Sequence, residues 1–323
     1  MLRLRLPYSK IIHHILIYSL KNRGGPGRLQ AMKKPSLALG KYILILIIPI
    51  LFSSAAYGEE SSTIPSFYKP LIDRLLQDGF DFEFLSKLLS DPRAELNPAL
   101  MTVSLDSRET RDLYAQFLSR ESILISKKFL KQNLNFLRKM EKLFLVEKEV
   151  IVAILLVESR FGENIGKYRI IPTLASMALI DSPANLQQNY QILRDIDPEL
   201  SYEWMEDLAR KKAEWAYHEL RCFLKIIRHE ESDPLEIYGS YAGALGMPQF
   251  IPSSYLAYAV SKKSFENWLS SREEAIFSIG NYLKSHGWKK SLSIKKKKQI
   301  LWYYNRSEPY IETILQVAKK IRH

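Results

Sequence analysis

The chain of 323 residues has one cysteine, Cys222, so no intramolecular disulfide can form and thiol content does not decide the compartment. No acidic residue precedes Glu59, whereas nine Lys and Arg do. The formal charge of +12 therefore belongs mainly to the first 58 residues, and the remainder carries 38 basic and 35 acidic side chains. So even a balance, without a basic face interleaved with aromatics, speaks against a nucleic-acid partner. Lys295 to Lys298 is the one dense basic cluster and reads as a solvated face or loop. Anionic wall polymer or lipid headgroups are the other partners it admits. Signals for several chemistries are missing too. No Gly-x-Ser-x-Gly surrounds Ser240, no Lys-Ser or Lys-Thr follows Gly243 and Gly246, and His218 with Cys222 lacks a second pair to complete a tetrahedral metal set. There are no repeats, no alternating strand series and no low-complexity region beyond the leader.

What is present begins with that leader. Met32, Lys33, Lys34 and Lys41 make a positive segment, Tyr42 to Phe52 an apolar one, and Ala56-Tyr57-Gly58 a small-x-small cleavage site before Glu59. This predicts a secretory signal over 32–58, translation starting at Met32, and a periplasmic or cell-envelope location. A retained anchor is the competing reading of a stretch this short. No cysteine stands directly after the cleavage site, where Glu59 is found, which argues against a lipid anchor there.

Hydrophobic residues make up 46% of the chain, enough for a sizeable core. Leu71, Leu75, Phe80, Phe84, Leu85 and Leu88 recur at helical spacing, broken by Gly79 and stopped by Asp91-Pro92. One longer helix is expected from about Ser126 to Leu143, and a buried one over Val150 to Val157 with Gly162 as its stop. Further helices are expected over Leu174 to Ile180, Tyr202 to His229, Glu273 to His286 and Ile311 to Ile321. The Gly, Pro and Ser of 239–254 read as a loop entering a helix near Tyr255. The body is nearly all helix.

Glu158 stands at the end of that eight-residue apolar run. Low polarity disfavours a charged carboxylate, so such an acid can stay protonated near neutral pH and serve as a general acid. A glutamate at a helix end, exposed or paired with Arg160, fits the same spacing.

Four blocks favour the first reading: Val157-Glu158-Ser159-Arg160-Phe161-Gly162 with Gly166-Lys167-Tyr168-Arg169; Gly239-Ser240-Tyr241-Ala242-Gly243-Ala244-Leu245-Gly246-Met247-Pro248-Gln249-Phe250-Ile251-Pro252-Ser253-Ser254-Tyr255; Ile279-Gly280-Asn281-Tyr282 through His286-Gly287-Trp288; and Tyr304-Asn305-Arg306-Ser307-Glu308-Pro309-Tyr310. In order and approximate spacing they resemble the B family of lytic murein transglycosylases, over about residues 65 to 320. The resemblance implies an all-α, lysozyme-like core (151–323) behind an N-terminal helical region (59–150), with the glycan strand of peptidoglycan held in a groove. It implies cleavage of the bond between N-acetylmuramic acid and N-acetylglucosamine by one glutamate, with the muramic C6 hydroxyl as nucleophile and a 1,6-anhydro end as product. A substrate-borne nucleophile explains why one carboxylate suffices where ordinary glycosidases use two. Matched residue by residue, Glu158 is the acid and base. Ser240, Gln249, Tyr282, Tyr304, Asn305 and Tyr310 line the cleft, Tyr114 matches an earlier cleft tyrosine, and Ser240 with Asn305 would orient Glu158. For each tyrosine, core packing is an equally good account of the residue alone.

The chain departs from the family in three places. Many relatives carry an aspartate-rich calcium loop after the Gln-Phe-x-Pro-Ser-Ser block, but residues 259–268 contain no aspartate, so no metal and no cofactor is expected. The small strand-rich domain inserted after the His-Gly-Trp block in well-studied members has only Lys289 to Ile300 in its place. Asp181 to Lys211 looks like an additional stretch. A non-catalytic wall-binding module and a water-using lysozyme-like hydrolase are the competing functions.

Overall fold

The computed structural model describes residues 64–106, 111–261 and 264–322, so the leader lies outside the described residues. After a 3-10 turn at Ser66–Tyr68 come α1 (Lys69–Gln77), α2 (Phe82–Leu89), α3 (Pro98–Asp106), α4 (Arg111–Ala115), α5 (Arg120–Gln132) and α6 (Leu134–Phe144). The middle of the chain forms α7 (Lys148–Ser159), β1 (Tyr168–Arg169), α8 (Ile170–Ala178), α9 (Pro183–Ile196), α10 (Tyr202–Ile227) and β2 (Tyr238–Gly239). The remainder is α11 (Pro252–Tyr258), α12 (Phe265–Ser270), α13 (Arg272–Ser285), α14 (Ile294–Tyr304) and α15 (Glu308–Arg322). Local chemistry sets many of these starts. Asp81, Ser119, Ser201, Ser271 and Ser293 each accept a main-chain N–H of the first turn of the helix that follows.

At the centre lies α7. Val150 to Leu156 are at most 4% exposed, because the helix is apolar on all sides and α5, α6, α13 and α15 pack around it. Full burial of each such Val, Ile or Leu contributes about 1.5–3 kcal/mol. One hydrophobic core runs from Tyr68 to Ile321 through this helix, and residue 150, the expected domain boundary, falls inside α7. A second, smaller core joins Met101 and Leu105 of α3 to Leu186 and Leu193 of α9 and Met205, Ala209 and Ala213 of α10. The additional stretch 181–211 is thus a helix and the opening turns of another, built onto α3.

Three expectations need correction. The single helix expected over Ser126 to Leu143 is two, α5 and α6. Buried Asn133 leaves the helical region at φ −110°, ψ 19°, and both its N–H and its Nδ2 end on the Phe129 carbonyl. α7 stops at Ser159, not at Gly162, because Arg160 already takes the left-handed conformation, followed by Phe161 and Gly162 (φ 49°, 63° and 93°). The lysine run is part of α14, and one of its members is not solvated. Lys297 is 9% exposed, and its Nζ lies 2.5 Å from Oε1 of buried Glu147, whose Oε2 accepts the Trp288 indole N–H at 2.7 Å. Residues 289–300, where the strand-rich insertion would sit, form a turn and most of α14.

Candidate active site

Glu158 is half-buried on the last turn of α7, where the chain reverses through three left-handed residues. That turn is held by its neighbour. Ser159 is 1% exposed; its Oγ donates to the Met247 carbonyl at 2.8 Å and accepts the Gly162 N–H at 3.1 Å, while its carbonyl accepts the Asn164 N–H. Phe161 stacks on Phe129 with centroids 4.3 Å apart. Arg160 turns to Glu121 and Glu163.

The glycine-rich segment 239–250 closes against this turn. Gly166 (φ 98°) runs so close to β2 that a Cβ there would fall 1.9 Å from the Gly239 carbonyl carbon. The Ser240 hydroxyl accepts the N–H groups of Ala242 and Ala244, which shapes the loop from within. Gln249, itself at φ 49°, donates from Nε2 to the carbonyls of Gly246 (2.8 Å) and Ile165 (3.2 Å). Sequence reasoning expected both to line the cleft and Ser240 to orient Glu158; the hydrogen bonds described for their side chains go to loop main chain.

The tyrosines form the other side. Tyr310, on α15 and 1% exposed, donates its hydroxyl to Glu158 Oε1 at 2.6 Å. Tyr304 lies parallel to it at 6.4 Å and donates to the Pro248 carbonyl, and Tyr114 meets Tyr310 edge-on at 6.0 Å. Burial first, and the charge of Glu158 second, push the Tyr304 and Tyr310 phenols well above the ordinary tyrosine range, so both remain donors. Tyr282 is 6% exposed, packs against Tyr304 at 4.9 Å, and donates to the Tyr303 carbonyl at 2.7 Å. Burial pushes its phenol up as well. Asn305 ends α14, its N–H on the Leu301 carbonyl.

A model of the transglycosylase SLT domain matches residues 65–300. The chain belongs to the transglycosylase SLT domain family. A relative, the membrane-bound lytic murein transglycosylase B of Escherichia coli strain K12, is 34% identical over 177 residues, which is 54% of this chain and 41% of that protein. The chain thus matches less than half of that relative's length. The fold is that of solved SLT-domain structures. The soluble lytic transglycosylase SltB1 from Pseudomonas aeruginosa superposes with a TM-score of 0.62 at 24% identity, over 80% of this chain and 98% of that one. The Escherichia coli lytic transglycosylase Slt35 in complex with bulgecin A gives 0.62 at 23%, over 80% and 93%. Pseudomonas aeruginosa SltB3 in complex with NAG-NAM-pentapeptide gives 0.60 at 18%, over 80% of each chain.

Within this SLT-domain fold, two roles escaped sequence reasoning. Ser159 was quoted only as part of a block, and its signal, a small hydroxyl after the acid and before Arg-Phe-Gly, is visible only in retrospect. Tyr310 was assigned to the groove wall, and its hydroxyl proves to be on the carboxylate itself.

Proposed function

We propose that the chain is a lytic transglycosylase that cleaves the bond between N-acetylmuramic acid and N-acetylglucosamine in peptidoglycan, after export through its leader to the cell envelope. The observation that carries this reading is the hydrogen bond from buried Tyr310 to the half-buried Glu158 in an SLT-domain fold. Glu158 in its acid form protonates the glycosidic oxygen, and the bond from that oxygen to the muramic anomeric carbon breaks. The muramic C6 hydroxyl then attacks that carbon and gives its proton to the Glu158 carboxylate, which regenerates the acid. No water is consumed and a 1,6-anhydro ring closes. The phenol of Tyr310, held protonated by its burial, stabilises the carboxylate during the interval in which it bears charge. Tyr114, Tyr282, Tyr304 and Asn305 supply the aromatic and amide lining that suits sugar rings, while Ser240 and Gln249 act through the loop they shape.

Mass spectrometry of products from purified peptidoglycan tests this. Anhydromuramic ends are expected, and Glu158→Gln should lower turnover by about 10² to 10⁴ while glycan binding persists. Reducing ends as the main product would assign the attack to water, and undiminished turnover in the variant would move the proton transfers elsewhere.

A further inference from the structure

From 275 to 307 the sequence holds eight Lys and Arg and not one Asp or Glu. Three of those cations are committed to ion pairs: Lys290 with Glu141, Lys297 with Glu147, and Lys298 with Glu308. Lys284, Lys289, Lys295, Lys296 and Arg306 form no ion pair among the described residues. Two of these, Lys295 and Lys296, lie on α14, whose inner side is Lys297, Ile300 and Leu301. Its outer side carries Lys295, Gln299 and Trp302 at helical spacing, flanked by Lys296 with Tyr303. Two of these are large aromatic groups left in water: Trp302 is 44% exposed and Tyr303 63%. Isolated exposed apolar residues need no explanation, but two aromatic rings on one helix face with unpaired lysines do.

We infer that the outer face of α14 is a docking surface for an anionic lipid bilayer. Lysines attract the negative surface, and indole and phenol rings settle at the headgroup level. An anionic polymer in water would take up the lysines and leave the Trp302 ring without a partner, and a glycan would want side-chain amides and hydroxyls that this face lacks except for Gln299 and the Tyr303 phenol. The orientation is also productive. Tyr304 lies on the other side of the same helix, bonded to Pro248, so docking leaves the Glu158 site uncovered. The surface does not depend on the reaction proposed for Glu158, and Glu158→Gln should dock as the wild type does.

The test uses the full chain and vesicles of phosphatidylcholine, with or without about a third of phosphatidylglycerol, carrying brominated acyl chains that quench indole on contact. The leader contains no tryptophan, and Trp204 is the one other strongly exposed indole. Quenching that disappears in Trp302→Phe therefore reports α14 and not attachment through the leader. Anionic vesicles should quench the wild type, Trp302→Phe should lose most of that signal, and Lys295→Glu with Lys296→Glu should need at least about tenfold more lipid at ~0.1 M salt. Lys295→Gln with Lys296→Gln should fall between, and near-ultraviolet circular dichroism confirms that each variant is folded. Full quenching in Trp302→Phe would overturn the inference, as would a charge-reversed variant quenched like the wild type. So would a charge-reversed variant that loses affinity for soluble poly(glycerol phosphate) with vesicle quenching unchanged, which would assign the face to wall polymer.

Discussion

The phenol oxygen of Tyr310 lies 2.6 Å from Glu158 Oε1, a bond that joins α15 to the end of α7 across 152 residues of sequence. Both helices belong to one packed pair at the centre of the molecule, so the distance is set by core packing and not by a mobile loop.

Replacing Tyr310 with Phe keeps the ring, and with it the contacts to Tyr114 and Tyr304, and removes only the donor. A hydrogen bond to a charged group is worth about 1.5–3 kcal/mol, so turnover should fall roughly 10- to 100-fold, with the loss in kcat and little change in KM. Kinetics on purified glycan strands check this, alongside a melting curve shifted by no more than a few degrees. An unchanged kcat would reduce Tyr310 to a packing residue.

The Lys297, Glu147 and Trp288 cluster should behave as a buried pair. Lys297→Met strands the Glu147 carboxylate and should cost about 3–5 kcal/mol, measured by urea unfolding. Adding Glu147→Gln should return most of that loss, because the amide still accepts the indole N–H. A double variant as unstable as the single one would show that shape, not charge, dominates there.

Two glycines make a controlled comparison. Gly79 and Gly166 both have positive φ (82° and 98°), but a Cβ at Gly79 meets nothing within 4 Å whereas one at Gly166 collides with the β2 backbone. Gly79→Ala should therefore cost only the conformational strain, about 1 kcal/mol. Gly166→Ala should cost several times more and displace the loop that carries Ser240, so activity should fall with stability.

Alkaline pH should destabilise the fold in a defined window. Burial pushes Tyr255 up to about 12, and raises Tyr68, Tyr217, Tyr282, Tyr304 and Tyr310 above the ordinary value of 10. Above pH 10 the unfolded chain releases these protons while the native state keeps them, so stability is unaffected below that pH and declines as pH climbs beyond it. Absorbance of phenolate should show these tyrosines titrating late and together with unfolding. Smooth titration of all 18 tyrosines near pH 10 with the fold intact would contradict the burial argument.

Helix ends were legible where glycine or Asp-Pro punctuates the pattern, as at Gly79 and Asp91-Pro92, and Glu158, Tyr304 and Tyr310 were nominated from blocks that each lie close in sequence. Asn133 was not legible as a break, since apolar spacing continues through it and only its non-helical backbone dihedrals part the two helices. α9 was passed over because Asn185, Gln187, Gln188 and Asn189 dilute its apolar face. Lys297 was misjudged within a run of four lysines, because its partner Glu147 lies 150 residues away. The same holds for Tyr310 and Glu158: what each residue touches is decided by tertiary packing, and no local pattern encodes it.

The two ends of α7 are fastened by polar contacts to different parts of the chain, Glu147 to Trp288 and Lys297 and Ser159 to Met247. Between them the helix surface is uniformly greasy, and such a rod has little of its own to prevent it from slipping. A slip of one residue would shift Glu158 by about 1.5 Å along the axis and swing it by roughly 100°. The end contacts therefore act as a register lock, which adds two hydrogen-bonded clasps to the core packing that holds the catalytic geometry.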